Sequence, residues 1–205
     1  MKTARRIVLA LIITAPLVLG LGAADGGGWY VFAGPSFSDL SIPVVSGEKD
    51  YRLGFLAGLG YEAPLNGVFS LLVQGAYASG GTHVDMNDGS EVTYSGSAVT
   101  VPVMLRIKLG RSVAPFLTAG GYAGWMFSPR MEIDSGGSSS EMPISGDDVS
   151  PFLYGVSAGL GIEFKIGTAG LFVHALYSYG LSDLDKTGTA EVRPSSLNLL
   201  AGLRF

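Results

Sequence analysis

Large apolar residues alternate with small or polar residues along several long stretches of this chain. Between residues 152 and 166, one set includes Phe152, Tyr154 and Leu160, and the interleaved set holds glycines, Glu163 and Lys165. Side chains alternate faces along a strand, whereas a helix would mix the two sets around its circumference. The pattern therefore predicts a β-strand, longer than the roughly five or six residues of an ordinary globular strand.

The same alternation predicts eight strands. They cover residues 29–37, 51–62, 68–79, 93–109, 114–127, 152–166, 170–182 and 196–205. Three of the links are short turns rich in Gly, Pro or Asn, at 63–67, 110–113 and 167–169. The other four are longer, at 39–50, 80–92, 128–150 and 183–195. Short periplasmic turns alternating with longer external loops are typical of outer-membrane barrels. We therefore predict an all-β fold, an eight-stranded antiparallel up-and-down transmembrane β-barrel.

The pattern also predicts which face of this barrel meets lipid. Backbone groups find no hydrogen-bond partner in hydrocarbon, so the sheet must close on itself with its apolar face outward. At eight strands, side chains just fill the interior, and we expect a packed lumen without an open pore. Inward positions near the short-turn end carry charges that we expect to form an ion-pair network: Glu62, Arg106, Lys108, Glu163, Lys165 and Arg204. A soluble ligand-binding barrel is the alternative, and it would place the large apolar residues inside.

The N-terminus has the composition of a secretory signal. Basic residues precede an apolar stretch at 7–21 that is too short to cross a bilayer comfortably, and small residues follow at 22–24. We predict a signal peptide over residues 1–24 and a barrel domain over residues 25–205. An uncleaved N-terminal anchor is the alternative.

Charge and hydropathy narrow the class of protein further. Removal of the predicted signal takes away Lys2, Arg5 and Arg6, which leaves 10 of the 13 basic residues against 17 acidic residues, a net charge of −7. This balance argues against nucleic acid as a partner. The mean hydropathy is +0.39, yet no apolar run of about eighteen residues follows the signal. The sequence is therefore apolar without containing a further membrane helix, and it contains no cysteine.

Several segments resemble a known family. They are VPVMLRIKLG (101–110), APFLTAGGYAGW (114–125), GVSAGLGIEFKI (155–166), HALYSYGLSDL (174–184) and LNLLAGLRF (197–205). Through them the chain resembles the bacterial outer-membrane β-barrel domain family, in particular its small eight-stranded, porin-family-like members. The resemblance implies the bacterial outer membrane as location, its lipid as surroundings, escort by periplasmic chaperones and insertion by the barrel assembly machinery. In that family a terminal aromatic residue with alternating apolar residues forms the assembly signal, and the matching residues are Leu199, Ala201, Leu203 and Phe205.

Acidic residues are concentrated in the four long links, which hold 14 of the 17. One interpretation is the binding of divalent cations or cationic ligands. The other is that the acids keep the loops soluble and away from lipid headgroups. The stretch DMNDG at 85–89 lacks the spacing of a calcium loop. We therefore expect no metal ion and no cofactor.

Catalytic chemistry has few candidates in this sequence. His83 lies in the second long link without a partner at a recognisable spacing, and His174 lies on the inner face, where we expect a carboxylate or hydroxyl to satisfy it. Since nucleophilic catalysis needs a base held by a further group, we expect no enzyme. We predict a structural or surface-interaction role through acidic extracellular loops. The alternative is a narrow channel or passive transporter for small solutes.

Overall fold

The computed structural model describes residues 27–41, 47–86, 91–110, 112–135, 138–143, 150–184 and 192–205. Their regular elements are β1 (Gly28–Ser41), β2 (Gly47–Pro64), β3 (Phe69–Met86), β4 (Glu91–Lys108), β5 (Val113–Ser135), β6 (Ser138–Pro143), β7 (Phe152–Ile166), β8 (Ala169–Gly180) and β9 (Arg193–Arg204). Within these ranges, no helix is long and apolar enough to cross a membrane.

Eight of the strands close into one antiparallel barrel. β1 pairs with β2 on one side and with β9 on the other, β4 pairs with β5, and β5 pairs with β7. Closure gives every barrel strand two neighbours, so its backbone groups are paired without water. The predicted eight-stranded antiparallel up-and-down barrel is confirmed.

The remaining strand, β6, belongs to a sheet that continues beyond the barrel mouth. β6 pairs with the end of β5, from Arg130↔Pro143 to Ser135↔Ser138. The neighbouring ladders also continue, because β3 reaches Met86 and β4 begins at Glu91. We call the paired segments 47–51, 82–86, 91–95, 130–135 and 138–143 the extension. It corrects the expectation that the links 39–50, 80–92 and 128–150 are loops. Their amides pair with neighbouring strands, and residues such as Val84, Val92 and Ile133 alternate with polar residues there.

The predicted short turns join strands at the opposite end of the barrel. In the β2–β3 turn, the Asn66 side-chain oxygen accepts hydrogen bonds from the backbone N–H groups of Val68 and Phe69, both at 2.9 Å. Gly110 and Gly167, in the β4–β5 and β7–β8 turns, have φ angles of +105° and +63°. A side chain is disfavoured at both angles, which explains why glycine occupies these turns.

The two faces of the sheet have opposite chemistry. On the outer face of β7, Phe152 is 49% exposed and Leu160 is 63% exposed, whereas on its inner face Ser157 and Glu163 are buried. The same holds on β4, where Leu105 faces outward and Arg106 is buried. The soluble-barrel alternative is therefore wrong, because it requires these outer apolar residues to converge on a shared interior.

Candidate functional site

A cluster of charged residues fills the lumen toward the short turns, and we call it the lumen cluster. β2, β4, β7 and β9 supply its members, which are Glu62, Arg106, Lys108, Glu163 and Arg204. Ion pairs with N–O distances between 2.6 and 3.7 Å hold them together. Five of the six residues expected in an ion-pair network thus lie together.

Arg106 is the centre of the lumen cluster. Its terminal nitrogens donate to Glu62 at 2.9 Å and to Glu163 at 2.6 Å, and its guanidinium lies 3.9 Å from the ring centre of Phe116. Glu163 also accepts hydrogen bonds from Lys108 and Arg204, both at 3.2 Å. Arg106, Glu62 and Glu163 are almost fully buried. Buried carboxylates are tolerated only when they are paired in this way. The ion pairs therefore connect four strands through the lumen.

The sixth expected member, Lys165, does not join the lumen cluster. It follows Glu163 on the same face of β7, but its side chain is exposed at the short-turn rim. Lys165 is two residues nearer the end of β7 than Glu163, and its long side chain reaches water.

Aromatic rings fill the next level of the lumen, each set against a glycine on an adjacent strand. Register pairs Tyr30 with Gly60, Phe32 with Gly58, Phe116 with Gly161 and Phe172 with Gly202. A methyl group added at Gly60 would lie 2.5 Å from the Tyr30 ring. The inner glycines therefore provide the space in which the rings lie. The sequence analysis did not identify this aromatic layer, since that requires the strand register.

The lumen histidine, His174, is packed among other side chains. His174 is buried, and its Nε2 lies 2.9 Å from the Thr118 hydroxyl, with the Phe116 ring centre 5.2 Å from its own. A hydroxyl thus satisfies it. The His83 side chain and the stretch 85–89 lie outside the described side chains. Among the residues that are described, no group of three or more His, Cys, Asp or Glu is arranged to hold a metal ion.

A smaller apolar cluster lies at the barrel mouth. Leu184 is buried against Ala98 and Leu153, with Tyr122, Met126 and Val192 packed around them. The Leu184 backbone holds the segment in place, since its N–H donates to Val192 and its carbonyl accepts from Ser150, both at 2.9 Å. At the mouth, Leu184 after β8 and Val192 before β9 therefore pack against residues of β4, β5 and β7.

Register aligns the acidic residues of the extension with one another. Register sets Glu48 opposite Asp85, Asp85 opposite Glu91, and Glu91 opposite Asp134, so four acids form one row across four strands. Two residues along each strand, a second row runs through Asp50, His83, Thr93, Glu132 and Glu141. We call these two rows of aligned positions the acidic face, and Arg130 follows on β5 toward the barrel. The row between them contains Lys49, Val84, Val92, Ile133 and Ser140.

A family model described as the outer membrane protein beta-barrel domain matches residues 24–186, well over half of the chain. The chain belongs to this family. Its closing strand β9 lies beyond the matched residues and completes the barrel by pairing with β1 and β8. Membership agrees with the outward apolar belt: the protein lies in the bacterial outer membrane, with lipid around the barrel.

Solved structures of small outer-membrane proteins are similar to the chain at low identity. Ail, the attachment invasion locus protein of Yersinia pestis, is 18% identical with a TM-score of 0.48, over 87% of this chain and 99% of Ail. Neisserial surface protein A is 18% identical with a TM-score of 0.49, over 88% and 98%. OprG from Pseudomonas aeruginosa is 10% identical with a TM-score of 0.48, over 89% and 97%. No curated protein matches the chain.

Proposed function

We propose that this chain is a sealed barrel that presents its acidic face to a positively charged partner at the cell surface. The row of Glu48, Asp85, Glu91 and Asp134 carries the proposal. Like charges directly opposite each other destabilise a sheet, so a row of four acids lowers the stability of the extension. Cationic groups of a partner offset that repulsion when they bind.

Binding of a lysine-rich peptide tests this role. With the barrel in lipid nanodiscs, fluorescence anisotropy of a labelled peptide is measured at low and high salt. We expect the double variant Glu91→Gln, Asp134→Asn to bind about tenfold more weakly, a difference of about 1.4 kcal/mol. The control variant Asp147→Asn, Asp148→Asn removes the same charge outside the described strands. Equal weakening in both variants contradicts a role for the row.

The alternative function is conduction of small solutes by a narrow channel or passive transporter. The filled lumen favours surface interaction over this alternative. The lumen cluster, the aromatic layer and the mouth cluster around Leu184 follow one another along the axis. In planar bilayers we expect no conductance steps from the purified barrel. Stable steps would overturn this part of the proposal and favour the channel.

The same side chains support a role without catalysis. His174 contacts the Thr118 hydroxyl and the Phe116 ring, and these contacts among the described residues include no carboxylate that would orient a catalytic base. We expect no release of fatty acid from labelled phospholipid. Hydrolysis that disappears in a His83→Ala variant would show that the barrel is an enzyme.

We also propose the export route that the sequence predicts. Residues 1–24 act as a signal peptide, periplasmic chaperones escort the chain, and the barrel assembly machinery reads Leu199, Ala201, Leu203 and Phe205. These four face outward on and just after β9, where another protein can contact them. N-terminal sequencing of the membrane protein is expected to begin at Asp25. Normal assembly of a Phe205→Ala variant would count against this signal.

A further inference from the structure

Three hydrogen-bond donors in the lumen are buried without an acceptor among the described residues. They are the Tyr30 hydroxyl and the Nε–H groups of Arg106 and Arg204. The terminal nitrogens of Arg106 are already used by Glu62 and Glu163. The Arg204 Nε lies 3.7 Å from Glu62, within ion-pair range but beyond a hydrogen bond. A buried donor without an acceptor is costly, so each requires explanation.

The residues that carry these donors line one small cavity. Its volume is about 20 Å³, and its wall also includes Gln74, His174 and three apolar side chains. A space of this size holds one water-sized particle, since about 10–15 Å³ is the minimum for one. The cavity therefore lies against the side chains of all three donors and is large enough for a single small ligand.

The charge around the cavity favours an anion. Two arginines line it, and the described lining residues include no acid. The adjoining lumen cluster contains three bases and two acids, an excess of one positive charge. Buried charge requires a counter-charge close by. Glu62 and Glu163 balance two of the three bases, and an anion in this cavity balances the third.

We propose that this cavity binds one monatomic anion, chloride in the cell. Such an ion accepts from the Tyr30 hydroxyl and both Nε–H groups at once, and it donates nothing. A water molecule must also donate two hydrogen bonds. Beyond Tyr30, the wall's side-chain acceptors are Gln74 and His174, whose Nε2 already lies 2.9 Å from the Thr118 hydroxyl, and Phe116 and Phe172 offer none. Aromatic ring edges carry partial positive charge and suit an anion better.

Anomalous scattering tests the proposal directly. Crystals of the full barrel grown in bromide are expected to show one anomalous peak within hydrogen-bond distance of Tyr30 Oη. The Tyr30→Phe variant removes one donor without adding volume, and we expect its bromide affinity to fall about tenfold or more. Tyr122→Phe makes the same change higher in the lumen and is expected to keep the peak.

A solution measurement on the wild type makes the test independent of whether Tyr30→Phe folds. The midpoint of heat unfolding in detergent is followed as chloride replaces gluconate at constant ionic strength, and we expect it to rise in wild type and in Tyr122→Phe. A midpoint that does not respond to chloride overturns the proposal. So does a bromide crystal whose cavity density scatters as water.

Discussion

The lumen and the extension both contain acidic residues, but the charges of their neighbours differ. In the lumen, Glu62 and Glu163 are buried, and Arg106 donates to both of them. On the extension, register places Glu91 between Asp85 and Asp134, acid opposite acid. The first arrangement pairs each acid with a base, and the second aligns acid with acid.

The contrast follows from the solvent at each level. An unpaired carboxylate inside a membrane-embedded barrel is costly, so the buried acids are compensated by bases. Above the mouth, water screens repulsion, and a row of like charges costs only a few tenths to about 1 kcal/mol per pair. The acidic row lowers stability and the fold does not require it, whereas the fold does require the ion pairs in the lumen. The acidic row is therefore more informative about function. This is why we assign function to the acidic face and structure to the lumen cluster.

The largest expected effect comes from breaking the pairing in the lumen. Arg106→Met leaves two buried carboxylates without their central partner and removes the contact with Phe116. We expect a loss of about 3–5 kcal/mol in the free energy of unfolding, measured by urea titration in lipid vesicles. Lys165→Met at the exposed rim is the control, with an expected change of at most about 0.5 kcal/mol. Equal losses in both variants would show that the lumen cluster is not the source of stability.

A smaller effect is expected where the lumen is filled by volume. In Gly60→Ala the added methyl group meets the Tyr30 ring, and overpacking of this kind costs about 1–3 kcal/mol. Gly75 lies on the outer face of the adjacent strand with nothing within 4 Å of an added methyl. We expect Gly75→Ala to leave the urea midpoint unchanged. If Gly60→Ala is equally neutral, the aromatic layer is looser than its geometry indicates.

The smallest expected effect has the opposite sign. Glu91→Gln removes the central repulsion of the acidic row and is expected to stabilise the extension by about 0.2–1 kcal/mol. Hydrogen exchange of amides in β3 and β4 beyond the mouth should become slower, while exchange in the barrel stays the same. Faster exchange in this variant would mean that the row is already compensated, and the contrast with the lumen would disappear.

The alternation predicted the eight barrel strands and their faces correctly, because it depends only on residues two positions apart. Phe152 and Leu160 face outward and Glu163 faces inward, as expected. The prediction of loops at the long links was wrong beyond Gly80 and Ser128. A hairpin that leaves the membrane keeps its backbone pairing, but its composition becomes polar. A polar composition is also typical of loops, so it did not indicate these strand segments.

The sequence alone determined an eight-stranded barrel with apolar residues outside and charges inside, since side-chain parity is a local property of a strand. Only the tertiary structure decided which inward residues meet. Lys165 and Arg204 have the same parity and similar chemistry, yet Arg204 contacts Glu163 and Lys165 faces solvent. The row of acids on the extension was likewise decided there. Register joins residues distant in the chain, and closure of the whole barrel sets it.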